Sequence, residues 1–97
     1  MRTPEQQAGL DERTKNLALY HYDSCWFCGR VRTVIGGLGL NIEMRDVLRN
    51  PDHHQTLVAE GGSGTVPCLR IEKSDGSVEW MYESNDICDY LNSEFNQ

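Results

Sequence analysis

The chain alternates apolar and polar positions in blocks that predict seven elements of secondary structure. Leu17-Ala18-Leu19-Tyr20-His21 is a short apolar run closed by Asp23-Ser24, the pattern of a strand. Val31, Val34, Ile35 and Leu38 then fall at i, i+3, i+4 and i+7, one face of a helix that Gly36, Gly37 and Gly39 bring to an end. Leu40, Ile42 and Met44 alternate with Asn41, Glu43 and Arg45, which predicts a second strand over Leu40–Val47. Asn50-Pro51-Asp52 is a helix start, with Asn as N-cap, Pro as first helical residue and an acid in the first turn. That helix runs through Leu57 and Val58 to Gly61-Gly62. Val66–Ile71 reads as a third strand with Pro67 at its mouth. Ser74-Asp75-Gly76 is a hairpin turn leading to a return strand over Val78–Met81. Ser84 caps a last helix whose apolar face is Ile87, Tyr90, Leu91 and Phe95.

Residues 1–15 are polar and contain Pro4 and Gly9. They read as a flexible N-terminal extension with a short helix around Asp11–Lys15, leaving 16–97 as the folded domain. The order is β-α-β-α-β-β-α, an α/β arrangement. Its opening βαβ unit makes the first two strands parallel through a right-handed crossover, and its closing hairpin adds antiparallel strands. No internal repeat is present, and 97 residues suit one domain.

Composition narrows the partners. The net charge is −6 but uneven: residues 1–24 carry −1, residues 25–50 carry +2, and residues 51–97 carry −7. An acidic balance of this kind argues against nucleic acid or an anionic membrane as partner. There is no run of about 18 apolar residues to span a bilayer. Met1–Gln7 lacks the apolar centre of a secretory leader, so the expected location is the cytoplasm.

Four cysteines are present, Cys25, Cys28, Cys68 and Cys88. In a chain without secretory features they point to reactive or metal-binding thiols rather than a disulfide framework. Cys25 and Cys28 straddle a strand-to-helix junction, close enough to form a disulfide within one helical turn. The first sits where unpaired N–H groups and the helix dipole favour an anion, which favours its thiolate. Cys25 is then the nucleophile, and Cys28, inside the helix, is the resolving thiol. Arg30 either points back to add positive potential or decorates the helix surface. Haem attachment needs a His after the second Cys, and Gly29 stands there. A zinc ribbon needs a second close pair, whereas Cys68 and Cys88 have 19 residues between them, so no metal site is expected.

From Leu17 to Phe95 the sequence resembles the glutaredoxins of the thioredoxin superfamily. Three segments carry the likeness: Cys25-Trp26-Phe27-Cys28, Thr65-Val66-Pro67, and Glu83-Ser84-Asn85-Asp86-Ile87. The resemblance implies a thioredoxin-like fold, with a four-stranded mixed sheet flanked by three helices. It implies that Pro67 is cis, that Cys25 takes glutathione as a mixed disulfide, and that the Val66 backbone pairs with the cysteinyl part of glutathione. Glu83, Ser84 and Asn85 would hold the γ-glutamyl end, since a helix N-terminus suits a carboxylate. Ser84 serves that role, its helix cap, or both.

Departures from the family are as informative. Trp26-Phe27 stands where many glutaredoxins have Pro-Tyr, and the pair forms either an apolar platform for substrate or part of the core. Tyr22 stands where a lysine often meets the glycyl carboxylate, leaving His21, His53, His54 and Gln55 as candidates for that end. Glu83-Ser84 is closer to the N-terminal domain of glutathione S-transferases, whose all-helical second domain this sequence does not contain, so a full transferase is not expected. Cys68 faces either the core or the groove, with a buried structural thiol the better fit, and Cys88 reads as half-buried and inert.

The expected activity is glutathione-dependent thiol–disulfide exchange on protein or glutathione mixed disulfides, within cell redox homeostasis. Glutathione would be co-substrate, no cofactor would be tightly bound, and the protein would be a monomer whose partners are disulfide-containing or glutathionylated proteins. Two alternatives stay open. One is a dimer bridging a [2Fe–2S] cluster through Cys25 and glutathione. The other is a glutathione-binding interaction module with little turnover.

Overall fold

A computed structural model describes residues 2–95 of the chain. The elements run α1 (Pro4–Thr14), β1 (Leu17–His21), α2 (Trp26–Leu38), β2 (Glu43–Asp46), α3 (Pro51–Gly61), β3 (Cys68–Glu72), β4 (Val78–Met81) and α4 (Ser84–Phe95). The sheet order is β2-β1-β3-β4. β1 and β2 are parallel, while β3 is antiparallel to both β1 and β4. This is the mixed four-stranded sheet expected from the order of elements.

Period-two alternation along β1 and β3 sends side chains to two separate cores. Leu17, Leu19, Leu69 and Ile71 face α2 and α4, meeting Val31, Ile35, Ile87, Leu91 and Phe95. On the other side Tyr20 and Cys68 meet Val47 and Leu57, with Trp80 and Tyr82 packed against them. Cys68 is fully buried there, and burial pushes its thiol up to about 12. It is therefore a core thiol, not a groove residue.

Four boundaries differ from the sequence reading: β3 begins at Cys68 rather than Val66, because Pro67 has no N–H to give the ladder, and the other three lie at α1, β2 and α4. The N-terminal segment is an 11-residue helix rather than a flexible extension with one short turn. A capping box starts it: the Thr3 hydroxyl accepts from the Gln6 N–H at 3.1 Å and the Gln6 side chain accepts from the Thr3 N–H at 2.9 Å. It buries Leu10 and Thr14. Arg2, just before the helix, and Gln7, within it, donate to the Leu38 and Gly39 carbonyls at the end of α2, the latter at 3.2 Å. Among the described residues the helices thus number four, not three.

The second strand is shorter than Leu40–Val47. Leu40 and Ile42 are buried as expected, but the Leu40 N–H bonds Ile35 and the Asn41 carbonyl accepts from Thr14, so neither group is free for the ladder. Met44 pairs with Leu19 at the sheet edge and stays 41% exposed. Gly39 at φ 67° closes α2, its N–H reaching the Ile35 and Gly36 carbonyls, a left-handed cap that favours glycine. At the last boundary, Ser84 is the first residue of α4. The Glu83 carbonyl accepts the first helical bond, from the Ile87 N–H, so Glu83 rather than Ser84 holds the cap position.

Candidate functional site

The end of β1 and the start of α2 are joined by four residues, Tyr22 to Cys25, and this turn sets the position of Cys25. The Cys25 N–H donates to the Tyr22 carbonyl at 3.2 Å. Cys25 itself is the N-cap of α2, with extended backbone, and its Sγ accepts the Cys28 N–H at 3.2 Å. The cysteine sulfur thus stands where a Ser or Asp oxygen would stand in an ordinary cap. It is 9% exposed, while Cys28 is fully buried, and both are free thiols. Burial, reinforced by the contact with Cys25, pushes the Cys28 thiol up to about 12, so Cys28 keeps its proton at neutral pH.

Arg32, one turn further into α2, braces this turn from below. Its guanidinium donates to the Tyr22 carbonyl at 3.3 Å and the Asp23 carbonyl at 3.1 Å, and lies 3.1 Å from His21 Nδ1. His21 is buried, and its pKa is lowered, first by burial and then by the Arg32 charge, with Asp46 and Asp23 partly opposing. A neutral imidazole accepting from Arg32 fits both facts. This removes His21 from the candidates for a carboxylate ligand.

The sign of the linked pH effect follows. A native pKa below the ordinary 6.5 means that the unfolded chain takes up the proton first as pH falls. This contribution to stability is present above 6.5 and is lost on acidification through that value toward the lower native one. Urea midpoints are expected to fall between about pH 7 and about pH 5, and to fall less in His21→Gln. Equal slopes in the two proteins would contradict the assignment.

Two clefts meet the first turn of α2: Phe27 lines one, and Cys25 with Trp26 lines the other. The first, about 170 Å³, is lined by Phe27, Thr65, Val66, Pro67, Tyr82, Glu83 and Ser84. The Val66–Pro67 peptide is cis. Five of the residues expected to contact glutathione therefore share one cleft with the N-terminus of α4, whose first N–H groups lack intrahelical partners. Asn85, the next residue of α4, is exposed and does not line it. Tyr82 was missed in the sequence; its hydroxyl donates to the Ser63 carbonyl at 3.0 Å and ties β4 to the loop before Val66. Its place directly before Glu83-Ser84 was the available signal.

The second cleft, about 470 Å³, lies along α2 and is lined by Asp23, Ser24, Cys25, Trp26, Gly29, Arg30, Arg32 and Thr33. Trp26 is 70% and Phe27 53% exposed, so the pair is a surface platform and not core. The rings meet edge to face at 5.2 Å. Arg30 lies over the Trp26 ring, 5.8 Å from its centroid, and lines this cleft together with Cys25. Of the remaining candidates, His53 sits edge-on to Tyr20 and Tyr22 packs against the second core. Cys88 is half-buried against the first core, its thiol raised by burial.

The family described as "Glutathione S-transferase, N-terminal domain" matches residues 19–97. The chain belongs to this family. Solved structures agree with that placement. Maleylacetoacetate isomerase from Anaeromyxobacter dehalogenans, with GSH bound in its active site, is 27% identical with a TM-score of 0.66 over 84% of this chain and 38% of its own. Glutaredoxin 2 from Salmonella typhimurium, in complex with glutathione, is 28% identical with a TM-score of 0.66 over 86% and 35% of the two chains. Leishmania TDR1, a trimeric glutathione transferase, is 28% identical with a TM-score of 0.67, over 82% of this chain and 18% of that one. No curated protein sequence matches. The chain thus has the thioredoxin-like fold of glutathione S-transferase N-terminal domains and spans well under half the length of these neighbours. Among the described residues no helix is long and apolar enough to cross a membrane.

Proposed function

We propose that this glutathione S-transferase N-terminal-type domain is a glutathione-dependent thiol–disulfide oxidoreductase with Cys25 as its nucleophile. The observation that carries the reading is the position of Cys25 Sγ as an N-cap acceptor at the start of α2, in the wall of one cleft and two residues before Phe27 in the other, beside a Cys28 that stays protonated. The cleft of Phe27, Val66, Pro67, Glu83 and Ser84 has the parts a γ-glutamyl peptide needs. Val66 and cis-Pro67 offer backbone groups to a peptide, and the start of α4 offers donors to a carboxylate. Two solved neighbours hold glutathione.

The proposed cycle balances in two exchanges. Cys25 thiolate attacks the glutathione sulfur of a glutathionylated thiol, forming a Cys25–glutathione disulfide and expelling the substrate thiolate, which takes a proton from solvent. A second glutathione, as thiolate, attacks that disulfide, releasing oxidised glutathione and regenerating the Cys25 thiolate. Cys28 supplies the alternative second step. After losing its proton it displaces glutathione and closes a Cys25–Cys28 disulfide, which two glutathiones then reduce. We place the protein in the cytoplasm on the same reading, as a monomer acting on glutathionylated or disulfide-bearing proteins.

Incubation of the intact protein with oxidised glutathione, followed by mass spectrometry, tests this. One glutathione adduct mapping to Cys25 is expected, accumulating in Cys28→Ser. An adduct on Cys88 alone, or none, would count against it.

A further inference from the structure

The two clefts differ in charge as well as shape. The glutathione-side cleft contains Glu83 and the α4 N-terminus. The wall of the second cleft, along α2, contains two guanidiniums and one carboxylate. That carboxylate, Asp23, is already paired with Arg49 at 2.6 Å. The Arg32 guanidinium is spent on neutral acceptors, two carbonyls and an imidazole, which leave its charge uncompensated. Arg30 makes no ion pair among the described residues and lies over the exposed indole of Trp26. Helix α2 itself carries no acidic residue. This wall is therefore positive on a protein whose net charge is −6.

Resting on the oxidoreductase reading above, we infer that the Trp26–Arg30 wall is the docking surface for an acidic peptide segment of the protein substrate. A surface-exposed indole beneath a cation offers flat apolar area and a charge together, but no enclosure. Small molecules are held by pockets that bury most of their surface, whereas an open strip beside a reactive sulfur suits an extended chain. Charge complementarity then sets which chain. A segment with Asp or Glu flanking its modified cysteine is attracted to Arg30 and Arg32. A basic segment is repelled there and is drawn instead to the acidic remainder of the protein, away from Cys25.

Two fluorescently labelled peptides test this, identical except for Asp/Glu or Lys flanks and carrying Ser in place of Cys so that binding does not depend on exchange. Anisotropy titrations with the full chain are expected to favour the acidic peptide by roughly fivefold or more at low ionic strength, with the difference shrinking as salt is added. Arg30→Glu is expected to reverse the preference, and Arg30→Lys to retain it. Equal affinities, or a preference unmoved by Arg30→Glu, would overturn the inference. So would sedimentation showing that the wall is occupied by a second copy of this chain in a dimer that Arg30→Glu dissolves. Turnover of a small neutral glutathione mixed disulfide, measured alongside, reports on the oxidoreductase reading alone. Its absence would remove that reading without bearing on the peptide result.

Discussion

Cys25→Ser is expected to abolish reduction of a glutathionylated thiol, with a loss on the order of 10³-fold or more, while leaving the fold intact. The serine hydroxyl can take the same cap position and accept the Cys28 N–H, so helix α2 loses nothing at its start. What disappears is the nucleophilic sulfur, and an alcohol does not displace a thiolate from a disulfide at neutral pH. Cys28→Ser should behave differently. Cys28 is fully buried and holds its proton, so it takes no part in the first attack and enters only by displacing glutathione afterwards. Its removal should leave a substantial fraction of turnover with glutathione as the second thiol. Retention of activity in Cys25→Ser, in a coupled assay with glutathione and its reductase, would remove the proposed mechanism. Equal and complete losses in both variants would show that the two thiols act only as a pair.

The second large effect is on stability. Leu10→Ala is expected to destabilise the domain by about 2–4 kcal/mol, lowering Tm by roughly 10–20 °C. Leu10 is 4% exposed and belongs to the core between the sheet and α2 and α4. The helix that carries it is tied to the rest of the fold at several points. Arg13 donates to the Glu94 carbonyl at 2.7 Å, Asn41 donates to Asp11 at 2.8 Å, and Thr14 donates to the Asn41 carbonyl at 3.0 Å. Helix α1 is therefore part of the cooperative unit. A change below about 0.5 kcal/mol, measured by urea or thermal unfolding, would mean that α1 is an appendage whose loss the domain tolerates.

The contrast between these two residues shows what the sequence made legible. Cys25 announced itself because its signal is local: an apolar run, a polar break, then two cysteines three apart before a helical repeat. Asn50-Pro51 was legible for the same reason, and the Asn50 side chain does accept from the Asp52 N–H. The start of α2, the place of Cys68 in an apolar strand, and the return strand Val78–Met81 all follow from patterns within a few residues. Helix α1 was not legible by apolar periodicity, because it presents Leu10 and little else to the core. It is held by polar contacts to Leu38, Gly39, Asn41 and Glu94, residues far along the chain. The Thr3–Gln6 capping box was the one local sign available.

The site divides in the same way. The Thr65-Val66-Pro67 and Glu83-Ser84 segments were marked by resemblance, and the fold brings them to one cleft with Phe27. Trp26 left its partner open, since no pattern tells a surface indole from a buried one; its exposure, and Arg30 above it, decide for the surface. Arg32 was missed altogether. Its role depends on reaching back across the turn to His21, Tyr22 and Asp23, a geometry that a helical repeat does not specify.

In the proposed mechanism the sulfur at the start of α2 is the one that attacks. The most direct measurement is timed alkylation of the native protein with iodoacetamide at neutral pH, with each cysteine followed by mass spectrometry against a cysteine-containing peptide of no fixed structure. The result expected is modification at Cys25 first and faster than in the peptide, with Cys28 and Cys68 unmodified while the protein stays folded. Alkylation of Cys25 no faster than the peptide, or Cys88 reacting ahead of it, would contradict the account.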